Sequence, residues 1–176
     1  MSSEKKPEKT AEEHFKDGLA FSKLGDDRKT FESYKKAIEL DPEHFLAHFN
    51  LGIRYGKLRM NLEAAQSFRE ALRLKPEAPM VHYSLAVVSN LIGEMDEDFK
   101  HYKEAIRINP DFGRAHSNIA MLYYGLKRGK ETIHHLARAA ELFKQTGDEF
   151  MKKNALDLIQ ECGREFDLTP EDCLTL

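Results

Sequence analysis

Tryptophan is absent, and cysteine occurs only twice, at Cys162 and Cys173. Two cysteines cannot build a disulfide framework, so a reducing, cytoplasmic compartment is the default expectation. Glycine (10) and proline (6) are scarce among 176 residues, which excludes a loop-rich or low-complexity chain. No apolar run approaches the roughly 18 residues of a membrane helix. Residues 1–10 are polar and Lys-rich with no apolar stretch behind them, which speaks against a signal peptide. Neither sign of charge dominates: 27 Lys+Arg face 30 Asp+Glu, a formal net charge of -3. Nucleic-acid binding driven by global charge is thereby disfavoured. What remains is 41% hydrophobic and 32% charged, enough for an ordinary folded domain with a real core.

Catalytic signatures are missing as well. There is no HExxH, no CxxC and no Ser/His/Asp set with a recognisable elbow. Gly125 and Gly129 flank a Leu-Lys-Arg turn but lack the Lys-Ser/Thr ending of a phosphate loop. The expectation is a non-enzymatic chain without a cofactor.

What the chain does contain is a period. Pro42, Pro76 and Pro110 recur every 34 residues, as do His14, His48, His82 and His116. The same interval links Ala37, Ala71, Ala105 and Ala139, and links Tyr34, Phe68, Tyr102 and Leu136. An origin at Ala11 divides the chain into repeats 11–44, 45–78, 79–112 and 113–146. Within each, apolar residues fall at helical spacing in two runs. Pro76 and its equivalents stop the second run. Thr10 and Glu13 form a capping box, and Gly25 and Gly93 sit where a first helix must end. Gly18, Gly52, Ala86 and Ala120 form a small-residue column where two helices can approach closely, beside bulky Phe21, Tyr55 and Tyr123. Ser89 breaks the bulky column and predicts a looser third hairpin.

These residues resemble the tetratricopeptide repeat, a helix–turn–helix unit. The second repeat matches best, through Leu51-Gly52, Tyr55, Ala64, Phe68, Ala71 and Pro76. Two departures stand out. Histidine occupies the usual large aromatic position in all four repeats, and Lys144 replaces proline in the fourth, which lets that helix run longer. The resemblance implies an all-α solenoid of stacked helix pairs forming a right-handed superhelix. Residues 1–10 are expected to be a flexible lead and 167–176 a tail. Residues 147–166 are expected to form a C-terminal capping helix with Phe150, Ala155, Leu158, Ile159 and Cys162 on its apolar side. Glu13 and Asp17 replace apolar residues of later repeats, as the outer face of a first repeat requires.

In this family the first helices line the concave side, so residues there that the hairpin core does not need are candidate partner contacts. They are Phe15, Leu19, Leu46, Phe49, Asn50, Ile53, Met80, Tyr83, Val87, Asn118 and Met121. An exposed apolar surface of this kind marks a binding site, and an amphipathic helix or apolar peptide of another protein is the expected occupant. Asn50 and Asn118 are candidates for bonding a ligand backbone. Two other uses stay open: self-association with a segment of another copy, and internal packing, including with Leu174 and Leu176. Chaperone-binding members of the family hold a C-terminal carboxylate among Lys, Asn and Arg side chains. The corresponding places here are Phe15, Leu19, Asn50, Met80 and Ser84, which carry no cation, so that ligand is not expected. The four periodic histidines lie a repeat apart and cannot share a metal; they are read as filling the aromatic slot of each hairpin. Arg114, Lys127, Arg128, Lys130 and Arg138 concentrate positive charge near the fourth repeat, as a solvated surface or a dock for an acidic segment.

Overall fold

The computed structural model describes residues 8–169. Most of the 1–10 and 167–176 segments, with Cys173, Leu174 and Leu176, therefore lies outside the described residues. Among the described residues the chain is all-α. Its helices are α1 (Ala11–Leu24), α2 (Asp27–Leu40), α3 (Phe45–Lys57), α4 (Asn61–Leu74), α5 (Pro79–Ile92), α6 (Met95–Ile108), α7 (Gly113–Gly125), α8 (Gly129–Thr146) and α9 (Glu149–Phe166). None is long and apolar enough to cross a membrane. Two compact units meet in sequence between Glu77 and Ala78, the first holding α1–α4 and the second α5–α9.

Local chemistry sets the helix ends. Thr10 Oγ1 accepts from the Glu13 backbone at 3.3 Å, and Thr10 N donates to Glu13 Oε2 at 2.8 Å, closing the capping box. Asp26 and Asp148 cap α2 and α9 in the same manner, each through Oδ1 at 3.1 Å. Gly25 and Gly93 end α1 and α5 at φ 75° and 82°. The equivalent turns after α3 and α7 put Arg59 and Lys127 at φ 60° and 59°. A side chain held in this left-handed region carries a steric cost that glycine does not. Without a proline in its last turn, α8 continues to Thr146 and ends at Gly147.

Each helix hairpin closes over the small-residue column. A Cβ built on Gly18 would lie 2.4 Å from the Tyr34 ring, and one on Gly52 would lie 2.6 Å from the Phe68 ring. Tyr34 and Phe68 are both buried, so neither ring has room to yield. In the first unit Phe15, Tyr34, Ala37, Ala47 and Leu51 form one cluster across α1, α2 and α3. The second unit repeats that arrangement, with Tyr102, Ala105, Ala115 and Ile119 joined by Ala86 and Tyr123. The expected loosening at Ser89 does not occur: Ser89 is fully buried and the hairpin closes over it. α9 packs on α8 through Ala155, Leu158 and Ile159, while Cys162 meets Ile133. Phe150 is a correction, since it is 73% exposed. It lies in the first turn of α9, ahead of the residues that reach α8.

Three stability outcomes follow from these backbone positions. Gly52→Ala gains up to about 1 kcal/mol of helix propensity but overpacks the buried Phe68 ring at a cost of about 1–3 kcal/mol. A lower denaturation midpoint is expected. Gly56→Ala, in the same helix with nothing within 4 Å of its Cβ, is expected to raise the midpoint by about 0.5–1 kcal/mol. Replacing Arg59 by Gly relieves the left-handed backbone and is expected to add about 1 kcal/mol in urea unfolding.

Candidate partner-binding surface

Residues four and seven apart share one helix face. Leu46, Asn50 and Ile53 line such a strip on α3. On α5 and α7 the equivalent strips are Met80, Ser84, Val87 and Arg114, Asn118, Met121. Several strip residues are open to solvent. Leu46 is 45% exposed, Met80 52% and Met121 43%, and Leu19 on α1 is 36% exposed. Ile53 and Val87 are half-buried.

The aromatic column behaves differently. Phe15 is only 5% exposed and belongs to the hairpin core, against the rings of Tyr34 and His44 at 5.8 and 4.8 Å. It is not a groove residue. Phe49 is half-buried between Phe45 and Phe68, at 6.2 and 6.0 Å, and Tyr83 packs on Tyr102 and Phe112 at 5.9 and 4.8 Å. The spacing carries the reason: Phe15, Phe49 and Tyr83 each precede a small-column residue by three, and so share its face.

In the second unit a furrow of about 360 Å³ runs between α5 and α7. Val87, Asn90, Leu91, Tyr102, Asn118, Met121 and Leu122 line it. Asn118 Nδ2 donates to Tyr102 Oη at 3.1 Å and to Tyr83 Oη at 3.4 Å. Its amide hydrogens are therefore committed, and Oδ1 is the atom left to receive an N–H donor. Burial raises the Tyr102 hydroxyl above the ordinary phenol range, which keeps it neutral at any physiological pH. Asn50 spends an amide hydrogen on Leu46 O of its own helix at 2.8 Å. In the first unit a hollow of about 470 Å³ is bounded by Thr10, Glu12, His44, Phe45, Leu46 and Lys75 among others.

Charge is segregated in the second unit. α5 has no Asp, Glu, Lys or Arg, and α7 has Arg114 alone, whereas α6 carries Asp96, Glu97, Asp98, Lys100, Lys103, Glu104 and Arg107. The basic group near the fourth repeat is largely matched within the protein. Lys127 pairs with Glu165, Arg128 with Glu131 and Arg138 with Asp111. A dock for an acidic segment loses most of its basis there.

Histidines form a feature that periodicity alone did not reveal. His48 sits in the hairpin with Nε2 at 3.0 Å from Pro42 O. His82 Nδ1 lies 2.9 Å from His101 Nδ1, and His116 Nδ1 lies 3.0 Å from His135 Nδ1. Comparing positions nineteen apart would have found both pairs; the first two repeats have Ser33 and Ser67 at that second position. Ring centroids 5.1 and 5.2 Å apart mean the two nitrogens of each pair face one another head-on. That geometry suits a shared hydrogen rather than convergence on an ion. Among the described residues no three His, Cys, Asp or Glu side chains could hold a metal.

Tetratricopeptide repeat profiles match the chain at residues 53–111 and 18–44. No curated protein matches it in sequence. Solved structures do match in fold. A crystal structure of MamA protein superposes with a TM-score of 0.71 over 94% of this chain and 97% of that one, at 16% identity. MamA 41-end from Desulfovibrio magneticus RS-1 has a TM-score of 0.70, covering 77% and 76%, at 18% identity. The first TPR of Spaghetti (RPAP3), bound to the HSP90 peptide SRMEEVD, has a TM-score of 0.64, covering 66% of this chain and 93% of that one, at 17% identity. At these identities the likeness is one of fold.

Burial separates the candidate residues into two groups with opposite expected behaviour. Met80→Glu combined with Met121→Glu is expected to change the thermal midpoint little, because both side chains already meet water. Phe15→Glu places a charge in the first hairpin core and is expected to cost about 3 kcal/mol or more. Thermal melts followed by far-UV circular dichroism separate the two.

Proposed function

Because this chain belongs to the tetratricopeptide repeat family, we propose that it is a non-enzymatic interaction module that binds a segment of another protein on the strips of its first helices. The observation that carries this reading is the solvent exposure of Leu46, Met80 and Met121 on faces that hairpin closure does not use. An amphipathic helix or apolar peptide fits such a surface, because its own apolar side gains burial against the strips. At roughly 25 cal/mol per Å², a few such side chains are enough for a reversible, moderate-affinity contact. The α5–α7 furrow adds one polar point of registry, the Asn118 oxygen, for a donor on the partner.

The peptide seen on the Spaghetti neighbour does not set the expectation here. A terminal carboxylate needs charge-assisted donors, and Phe15, Leu19, Asn50, Met80 and Ser84 offer none of the required cations. A neutral, apolar ligand is the better match to α5 and α7. Self-association through the same strips is the alternative reading, supported by the same exposed methionines.

Selection of peptides from a displayed library of helical and extended sequences on the whole chain tests the proposal. Enriched peptides are expected to carry apolar residues at helical or alternate spacing. Their binding is expected to fall at least about tenfold in the Met80→Glu, Met121→Glu variant, a loss of about 1.4 kcal/mol. Binders unaffected by that variant would contradict the proposed surface. Light scattering over a concentration series addresses the alternative: a mass that rises with concentration in the wild type and not in the variant favours self-association.

A further inference from the structure

The two histidine pairs occupy successive hairpins of the second unit, α5–α6 and α7–α8; His82, His101 and His116 are buried and His135 is half-buried. The tautomer of the His116–His135 pair follows from its outer partner. His116 Nε2 is 3.1 Å from Pro110 O, and a carbonyl only accepts, so Nε2 carries the hydrogen. In the neutral ring His116 Nδ1 is then an acceptor, and His135 Nδ1–H donates to it. In the other pair His101 Nε2 is 3.1 Å from Glu97 Oε2, so that nitrogen donates to the carboxylate. Each pair is held by one hydrogen between two nitrogens. If both rings were protonated, two N–H groups and two positive charges would point at each other across about 3 Å.

The pairs do not line the furrow themselves, but they adjoin residues tied to it. His101 precedes Tyr102, which lines the furrow, and His82 precedes Tyr83; the two tyrosines share the amide of Asn118, itself a furrow residue. His135 stacks on Tyr123 at 5.4 Å and 7°. We propose that the two histidine pairs are acid-sensitive latches within the two hairpins that carry the α5–α7 furrow, each holding its hairpin closed while one hydrogen is shared and releasing it when both rings are charged. This rests on the furrow being the partner site; the latch itself does not depend on any partner.

The surrounding charges are mixed. Around His82 and His101 stand Glu97, Lys100 and Glu104, all on α6. Around His116 and His135 stand Asp111 ahead of α7, Glu131, His134 and Arg138 of α8, and Lys103 of α6. Burial, the largest cause, lowers His101 and His116 below the ordinary imidazole value, and lowers His135 to about 4. The unfolded chain therefore binds more protons than the folded one once pH drops below about 6.5. Stability contributed by His101, His116 and His135 is complete above that pH and is lost as pH falls toward 4. Asp98 works in the opposite sense, because burial raises its carboxyl. It is retained in the variants below, so its effect cancels in the comparison.

Hydrogen exchange of the full chain at pH 7.5 to 4.5, corrected for intrinsic rates, tests the latch without a ligand. In the wild type, α5–α8 amides are expected to lose protection at least about tenfold between pH 6.5 and 4.5, well ahead of α1–α4. His101→Ser with His135→Ser installs the residue type of Ser33 and Ser67. It is expected to move the onset to lower pH by about one unit. His101→Gln with His135→Gln is a second version, used if the serine variant is not helical at pH 7.5. Parallel loss in both units, or an unchanged onset in the folded variant, overturns the latch. Peptide binding at pH 7.5 is read separately. Its absence would defeat the partner-site reading and leave the exchange result standing.

Discussion

Close contact between paired helices is the constraint on which the rest of this protein depends. The Tyr34 and Phe68 rings press against Gly18 and Gly52, so near that a single Cβ would collide with the ring. Such proximity fixes which face of each first helix turns inward. Leu46, Met80 and Met121 stand away from that face, and their exposure is a consequence of the hairpin rather than an accident of composition. Clusters built alike in both units, Tyr34 with Ala37 and Ala47, then Tyr102 with Ala105 and Ala115, indicate one packing solution used repeatedly. In repeat architectures of this kind stability accumulates from neighbour contacts rather than from one central core.

Segregation of charge extends the same logic. α6 carries the solubility of its hairpin, which frees α5 to be free of formal charge, and α7 nearly so. A surface whose one formal charge on α5 and α7 is Arg114 discriminates mainly by apolar shape and by a few hydrogen-bonding atoms, of which Asn118 Oδ1 is the clearest. The basic residues of the fourth repeat, by contrast, are mostly held in ion pairs: Lys127 joins the turn after α7 to α9, Arg138 joins α8 to the turn before α7, and Arg128 pairs locally with Glu131 at the start of α8.

Much of this was legible in the residues because helix hairpins leave regular marks. Small columns, cap residues and helix-stopping prolines are local signals, and they located the helix ends to within a residue or so. The strips were partly legible. Leu19, Leu46, Met80 and Met121 are open as expected, but Phe15 is enclosed, because a three-residue step from Gly18 places it on the packed face. Phe150 erred the other way, since helical periodicity cannot reveal where a partner helix stops. The histidine pairs were illegible to a search at a single interval. They join positions on two different helices, and their chemistry appears only when antiparallel packing sets the second helix beside the first.

The claim that the first-helix strips receive a partner is most directly tested by methyl resonances of ¹³C-methyl methionine in the full chain, titrated with a selected peptide. Met80 and Met121 stand on the strips, while Met60 and Met95 are comparably open but stand at hairpin turns. The account predicts shifts at Met80 and Met121 with Met60 and Met95 unmoved. Shifts confined to Met60 and Met95 would contradict it.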